Sequence, residues 1–242
     1  MASNTNSFEG GSDTTTITTG NSGGSSGTAF DAVGAPVSGS TLAFSTTHAV
    51  HGSLSAKIGT GTTADTPYVS WTSNVAALTV YFRIYLWFDA NPGSNTNILR
   101  ALNSSDQTMA SLRVNTTGKL QMLNSANSAA GSASTNAVPL GQWFRIEWKV
   151  FSDASAGTLD TRLYNTADSL SITETVSATS VNTRGGNNSR YRYGIINSIS
   201  SIGPFWFDDI GVSDSDWMGP SVVATPPKFT VVRQAAGRAA LT

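Results

Sequence analysis

Two stretches of this chain alternate apolar and polar residues with a period of two, and that pattern commits them to sheet. From Val80 to Phe88, the side chains of Val80, Phe82, Ile84, Leu86 and Phe88 share one face, and Tyr81, Arg83, Tyr85 and Trp87 share the other. From Trp143 to Phe151, Phe144, Ile146, Trp148 and Val150 alternate with Arg145, Glu147 and Lys149. Leu159–Leu163 and Arg190–Ile196 repeat the pattern, with Tyr191, Tyr193 and Ile195 set against Arg190 and Arg192. No stretch shows apolar residues at the helical spacing i, i+3, i+4, i+7. Composition agrees: 34 Ser, 31 Thr, 23 Gly and 17 Asn, but three Glu, suit strands and turns better than helices. Turn signals separate the strands at Asn91-Pro92-Gly93-Ser94, Thr117-Gly118, Ala156-Gly157 and Gly185-Gly186-Asn187-Asn188. Many short strands at this spacing predict an all-β fold, a two-sheet antiparallel jelly-roll sandwich.

Charge narrows the function classes. Fourteen Lys and Arg stand against 15 Asp and Glu, a net charge of -1, and 12% of residues are charged, about half the usual share. Such a balance argues against a general nucleic-acid binder, which needs excess cations to release counterions from phosphates. The absence of Cys excludes disulfides, thiolate metal sites and a thiol nucleophile. No apolar run approaches the ~20 residues of a membrane span, so no membrane insertion is expected. The opening MASNTNSFEGG lacks the basic and apolar regions of a secretory signal. The reading divides the chain into a jelly-roll domain over 1–219 and an extended basic tail over 220–242, able to contact a neighbouring subunit; that tail carries Lys228, Arg233 and Arg238 without an acid.

Three segments carry a family resemblance. Ser7-Phe8-Glu9-Gly10-Gly11, Leu140-Gly141-Gln142-Trp143-Phe144-Arg145-Ile146-Glu147 and Phe205-Trp206-Phe207-Asp208-Asp209-Ile210-Gly211-Val212-Ser213 resemble, in order, three strands of the concanavalin A-like jelly rolls of laminin-G and carbohydrate-binding-module type. That resemblance implies the sandwich and one structural Ca²⁺ held by Glu9 and Asp208 with loop carbonyls. It does not fix a function, since the fold serves lectins, glycanases, lyases and structural proteins. The Ser/Thr/Gly/Asn-rich, cysteine-free composition is also similar to tail and head-surface proteins of actinobacteriophages. This implies a non-enzymatic virion surface protein, a minor tail or capsid decoration protein. It would be made in the host cytoplasm without a signal peptide and would partner other virion proteins and its own copies, with host-surface glycans as added ligands. The alternative is a free-standing carbohydrate-binding module or lectin, and behind it a glycan lyase or hydrolase of the same fold.

Tyr81, Arg83, Tyr85 and Trp87, joined by Trp206, are the candidate ligand-binding residues. Aromatic rings on a sheet face stack on sugars, and Arg donates to hydroxyls. The competing reading is that a loop or neighbour covers this face. Catalysis is not expected. The E-x-D-x-E string of glucanases with this fold is missing. Alternation puts the adjacent Asp208 and Asp209 on opposite faces. His48 and His51, the two histidines, read as turn or strand-end residues.

Overall fold

The period-two segments become strands. The computed structural model describes residues 2–221, with the side chain of Ser73 excepted, and the tail expected at 220–242 lies outside them beyond Ser221. Fourteen strands run in chain order: β1 Ser3–Asn6, β2 Ala32–Gly34, β3 Thr41–Ser45, β4 Ser55–Gly59, β5 Tyr68–Ala77, β6 Thr79–Phe88, β7 Thr96–Leu102, β8 Thr108–Val114, β9 Leu120–Leu123, β10 Phe144–Phe151, β11 Gly157–Tyr164, β12 Glu174–Val181, β13 Asn188–Gly194 and β14 Phe205–Ser213. One short 3₁₀ turn, Gly24–Ser26, is the helical element among the described residues.

All pairings between these strands are antiparallel. An eight-stranded sheet has the order β12-β11-β10-β6-β14-β4-β3, with β1 also on β14; a six-stranded sheet has the order β2-β5-β13-β7-β8-β9. β14 is shared along its length: Phe205–Phe207 pair with β4, and Ile210–Ser213 pair with β1. The N-terminal strand and the Phe-Trp-Phe-Asp-Asp strand therefore lie side by side. The result is a jelly-roll sandwich.

The alternation sets what is buried. Phe82, Ile84, Phe144, Ile146, Trp148, Phe207, Ile210 and Val212 of the larger sheet meet Val69, Trp71, Leu99, Ala101, Tyr191 and Tyr193 of the smaller. Phe82 centres the contact, with ring centroids 4.9 Å from Trp148, 5.4 Å from Tyr191 and 5.9 Å from Tyr193. Burying side chains of this size contributes about 1.5–3 kcal/mol each. The two tyrosines satisfy their hydroxyls: Tyr193 donates to the carbonyl of Gly211 at 2.7 Å, which ties the smaller sheet to β14.

The β14 strand is irregular at its centre. Opposite β6 it carries an extra residue between Asp208 and Gly211, and Asp209 takes a left-handed φ of 41°. The inward residues of β14 accordingly step from Phe207 to Ile210 rather than to Asp209.

Candidate functional site

The outer face of the larger sheet is laid out in rows set by register. Trp206 of β14 sits opposite Trp87 of β6 on one side and Lys57 of β4 on the other. Phe144 pairs with Leu86 in the β10–β6 ladder, so Trp143, one step earlier, flanks Trp87 from the other edge. Three tryptophans thus cross three neighbouring strands. Trp87 and Trp143 are half-buried, with centroids 6.0 Å apart and planes at 65°. His48, from the loop between β3 and β4, stacks on Trp87 at 4.2 Å and meets Trp206 edge-on at 4.4 Å. Trp206 is buried and donates its Nε1–H to Ser45 Oγ, while the Lys57 ammonium lies 5.6 Å from its ring. Trp87 donates its Nε1–H to the exposed carboxylate of Asp89 at 2.8 Å.

The next rows are covered by the molecule itself. Tyr81 meets Trp217 edge-on at 5.4 Å, and the Arg162 guanidinium lies 3.8 Å over that indole. Arg83 donates to the carbonyl of Asp209 at 3.0 Å and to that of Gly219. Tyr85 is fully buried: its hydroxyl donates to Asp168 and accepts the Ser221 N–H at 2.7 Å. Burial, aided by the charge of Asp168, pushes the Tyr85 phenol up to about 12. Of the five sequence-predicted ligand residues, Trp87 is therefore half-exposed in the tryptophan row, Tyr81 lies half-buried against Trp217, and Arg83, Tyr85 and Trp206 are buried. The covering segment is 216–221, whose Met218-Gly219-Pro220 reads in the sequence as the domain's end.

Asp208 and Asp209 do not face opposite ways as expected. The extra residue in β14 and the left-handed Asp209 turn both carboxylates outward, onto the loop between β3 and β4. Asp208 Oδ2 accepts the Val50 N–H at 3.1 Å, and Asp209 Oδ2 hydrogen-bonds His51 Nδ1. Glu9 reaches the same loop, accepting the N–H groups of Ser53 and Leu54 and the Ser53 hydroxyl. Burial, then the charges of Asp209 and Glu9, hold Asp208 well above the usual carboxylate range. His51 Nε2 lies 3.0 Å from Asp168. Burial works to lower the His51 pKa, but the hydrogen bonds and charges of Asp168 and Asp209 outweigh it and hold it above the usual 6.5. Among the described residues, Glu9, His51, Arg83 and Asp209 help line a cavity of about 520 Å³ that opens between β1 and the 218–221 segment. No group of three or more His, Cys, Asp or Glu side chains assembles there in metal-binding geometry among the described residues.

Trp143, His48 and His51 join the site without having been expected there. Trp143 was legible, since the alternation places it beside Trp87. The histidines sit in a loop, and no local pattern aims them.

No protein-family model matches this sequence, and no curated protein does. Among solved structures the chain resembles "Cellulose induced protein, Cip1" at 19% identity, with 90% of this chain and 99% of that one covered and a TM-score of 0.62. It also resembles a protein of unknown function from Shewanella oneidensis MR-1 at 12% identity, covering 87% of this chain and 84% of that one, TM-score 0.57. A weaker likeness, TM-score 0.39 at 12% identity, joins it to a CBM22 xylan-binding domain from Paenibacillus barcinonensis, over 86% of this chain and 90% of that one. The first two likenesses establish what the strand order already shows: this chain has the two-sheet jelly-roll architecture.

Proposed function

We propose that this chain is a carbohydrate-binding module that holds a glycan against its tryptophan row. The observation that carries the reading is the half-buried Trp87–Trp143 pair, backed by His48 and Trp206 and edged by Lys57 and Asp89. Broad apolar rings with polar groups at their rim are the surface a sugar ring needs, and here two such rings, Trp87 and Trp143, keep part of their surface open to solvent. This is the alternative of the sequence reading rather than its first expectation, a structural virion protein, for which the described residues offer no separate support. The reading is non-catalytic: Glu147 is locked to Arg145, and Asp208 and Asp209 are engaged by the 48–54 loop.

Trp87→Ala is expected to weaken binding on a glycan array and in calorimetry at least about tenfold, or ~1.4 kcal/mol; because the ring also packs on His48 and Trp143, cooperative thermal unfolding of the variant is the check that the loss is not misfolding. Glycan binding that survives both Trp87→Ala and Trp143→Ala sinks this reading, as does an array on which the intact chain binds nothing.

The Ca²⁺ implied for Glu9 and Asp208 is a second proposal. Its support is electrostatic: Glu9, Asp208 and Asp209 converge on one loop, and the charge on buried Asp208 is opposed by the other two. A cation there would relieve that repulsion, using loop carbonyls to complete six to eight oxygens. Adding Ca²⁺ to chelator-treated protein is expected to raise the melting temperature; an unchanged midpoint across the titration rules the ion out.

A further inference from the structure

The outer face of the smaller sheet, on the opposite side of the molecule from the tryptophan row, carries charge of mostly one sign. Arg192 of β13 lies in register opposite Arg100 of β7, with Ser70 of β5 beyond one and Ser111 of β8 beyond the other. Arg190, two residues before Arg192, shares this face, as does Arg113, two residues after Ser111. Four of the ten arginines in the chain are gathered here, all of them half-buried.

Asp106 is the carboxylate that pairs with them among the described residues: it sits 2.7 Å from Arg192 and 3.6 Å from Arg190. Arg100 has the hydroxyl of Ser111 at 3.1 Å instead of an acid. Arg113 Nε is buried without a hydrogen-bond partner. Like charges directly opposite on neighbouring strands destabilise a sheet, and burial together with the Arg192 charge works against the charged form of Arg100. The Arg192 guanidinium is held over the Tyr68 ring at 4.6 Å, so it is positioned rather than free to swing away. Asp106 offsets part of this repulsion, and a bound external anion would offset more of it.

We propose that this face binds an acidic polysaccharide, a glycan bearing carboxylates or sulfates, laid across β13, β7 and β8. Planar guanidiniums pair with two oxygens of such groups at once. Thr72, half-buried and in register with Arg190, stands beside the arginines as a partner for hydroxyls. Nucleic acid fits less well. Four cations on a chain of net charge -1 provide little counterion release, and Tyr68, the aromatic at hand, is already covered by Arg192. This inference stands apart from the tryptophan-row reading and does not depend on it.

The test is calorimetry or affinity electrophoresis of the full chain against polygalacturonate, heparin, an uncharged glucan and duplex DNA at low and moderate salt. Binding to at least one acidic polysaccharide is expected, weakening as salt rises. Arg100→Gln is expected to reduce it at least tenfold without lowering the melting temperature, because the substitution removes a like-charge pair. Asp106→Asn removes the competing carboxylate and is expected to tighten binding severalfold, a gain that misfolding does not produce. Absence of acidic-polysaccharide binding at low salt, indifference to both Arg100→Gln and Asp106→Asn, or tighter binding of DNA than of either acidic polysaccharide overturns the proposal.

Discussion

Replacing Arg145 with Met is expected to destabilise the protein by about 3–5 kcal/mol, a fall in melting temperature on the order of 10 °C for a domain of this size. Both members of the pair Arg145–Glu147 are 1% exposed, and their Nε···Oε1 distance is 3.1 Å. The pair lies on the outward face of β10, beneath the 165–173 segment. Removing the guanidinium leaves the Glu147 carboxylate buried with the Tyr164 hydroxyl, 3.2 Å away, as its remaining partner. Arg145 has a second task. It donates to the carbonyls of Ala167 and Ser169 and lies 3.9 Å over the Tyr164 ring, so it pins the segment that presents Asp168 to His51 and Tyr85. Urea denaturation measures the first loss, and faster proteolysis within 165–173 reports the second. The double replacement Arg145→Met with Glu147→Leu is expected to recover part of the stability, since no charge is then buried. An Arg145→Met protein as stable as the parent contradicts this account of the face.

The strands whose two faces differ were the ones legible from sequence. In β6, β10 and β14 one face meets the core and the other meets loops, so the period of two appears directly in the residue types. β12 is not legible because it is an edge strand whose Thr175, Ser177 and Thr179 point to solvent, and sequence cannot tell such a run from a loop. The β14 bulge is legible in principle: the apolar series Phe205, Phe207, Ile210, Val212 steps by three instead of two once, the mark of one inserted residue. Treating the strand as regular put Asp208 and Asp209 on opposite faces and hid their shared contact with the 48–54 loop. That loop is held by residues far away in sequence: Glu9 caps Ser53 and Leu54, and Asp208 caps Val50 across 158 positions. No local signal encodes such reach. The competing reading, that a loop covers Tyr81, Arg83 and Tyr85, is the one the contacts of Trp217, Gly219 and Ser221 support; which segment provides the cover is not legible, since one containing Gly219-Pro220 reads as an exit from the fold until its contacts are seen.

Phe8→Ala is expected to cost about 3–5 kcal/mol, a large effect for a residue so close to the chain's beginning. The ring is fully buried. It meets Phe207 edge-on at 5.3 Å and Phe30 at 5.8 Å, and Phe30 continues to Trp71 at 5.2 Å. A line of aromatic contacts therefore runs from β14 of the larger sheet to β5 of the smaller, and Phe8 is its link. The backbone there is left-handed, φ 59°, a conformation costly for a bulky residue, and Asn6 holds it by accepting the Phe8 N–H at 3.0 Å. Asn6 in turn donates to the carbonyls of Ser22 and Thr28. The strain is tolerated because it turns the ring inward just after β1 ends. A cycle with Phe207→Ala separates packing from strain. If the two rings support each other, the double variant loses less than the sum of the singles, by about 0.5–1.5 kcal/mol. Additive losses mean that each ring packs independently. A Phe8→Ala cost below ~1 kcal/mol, the range of ordinary surface changes, means that β1 lies against the sandwich without closing it.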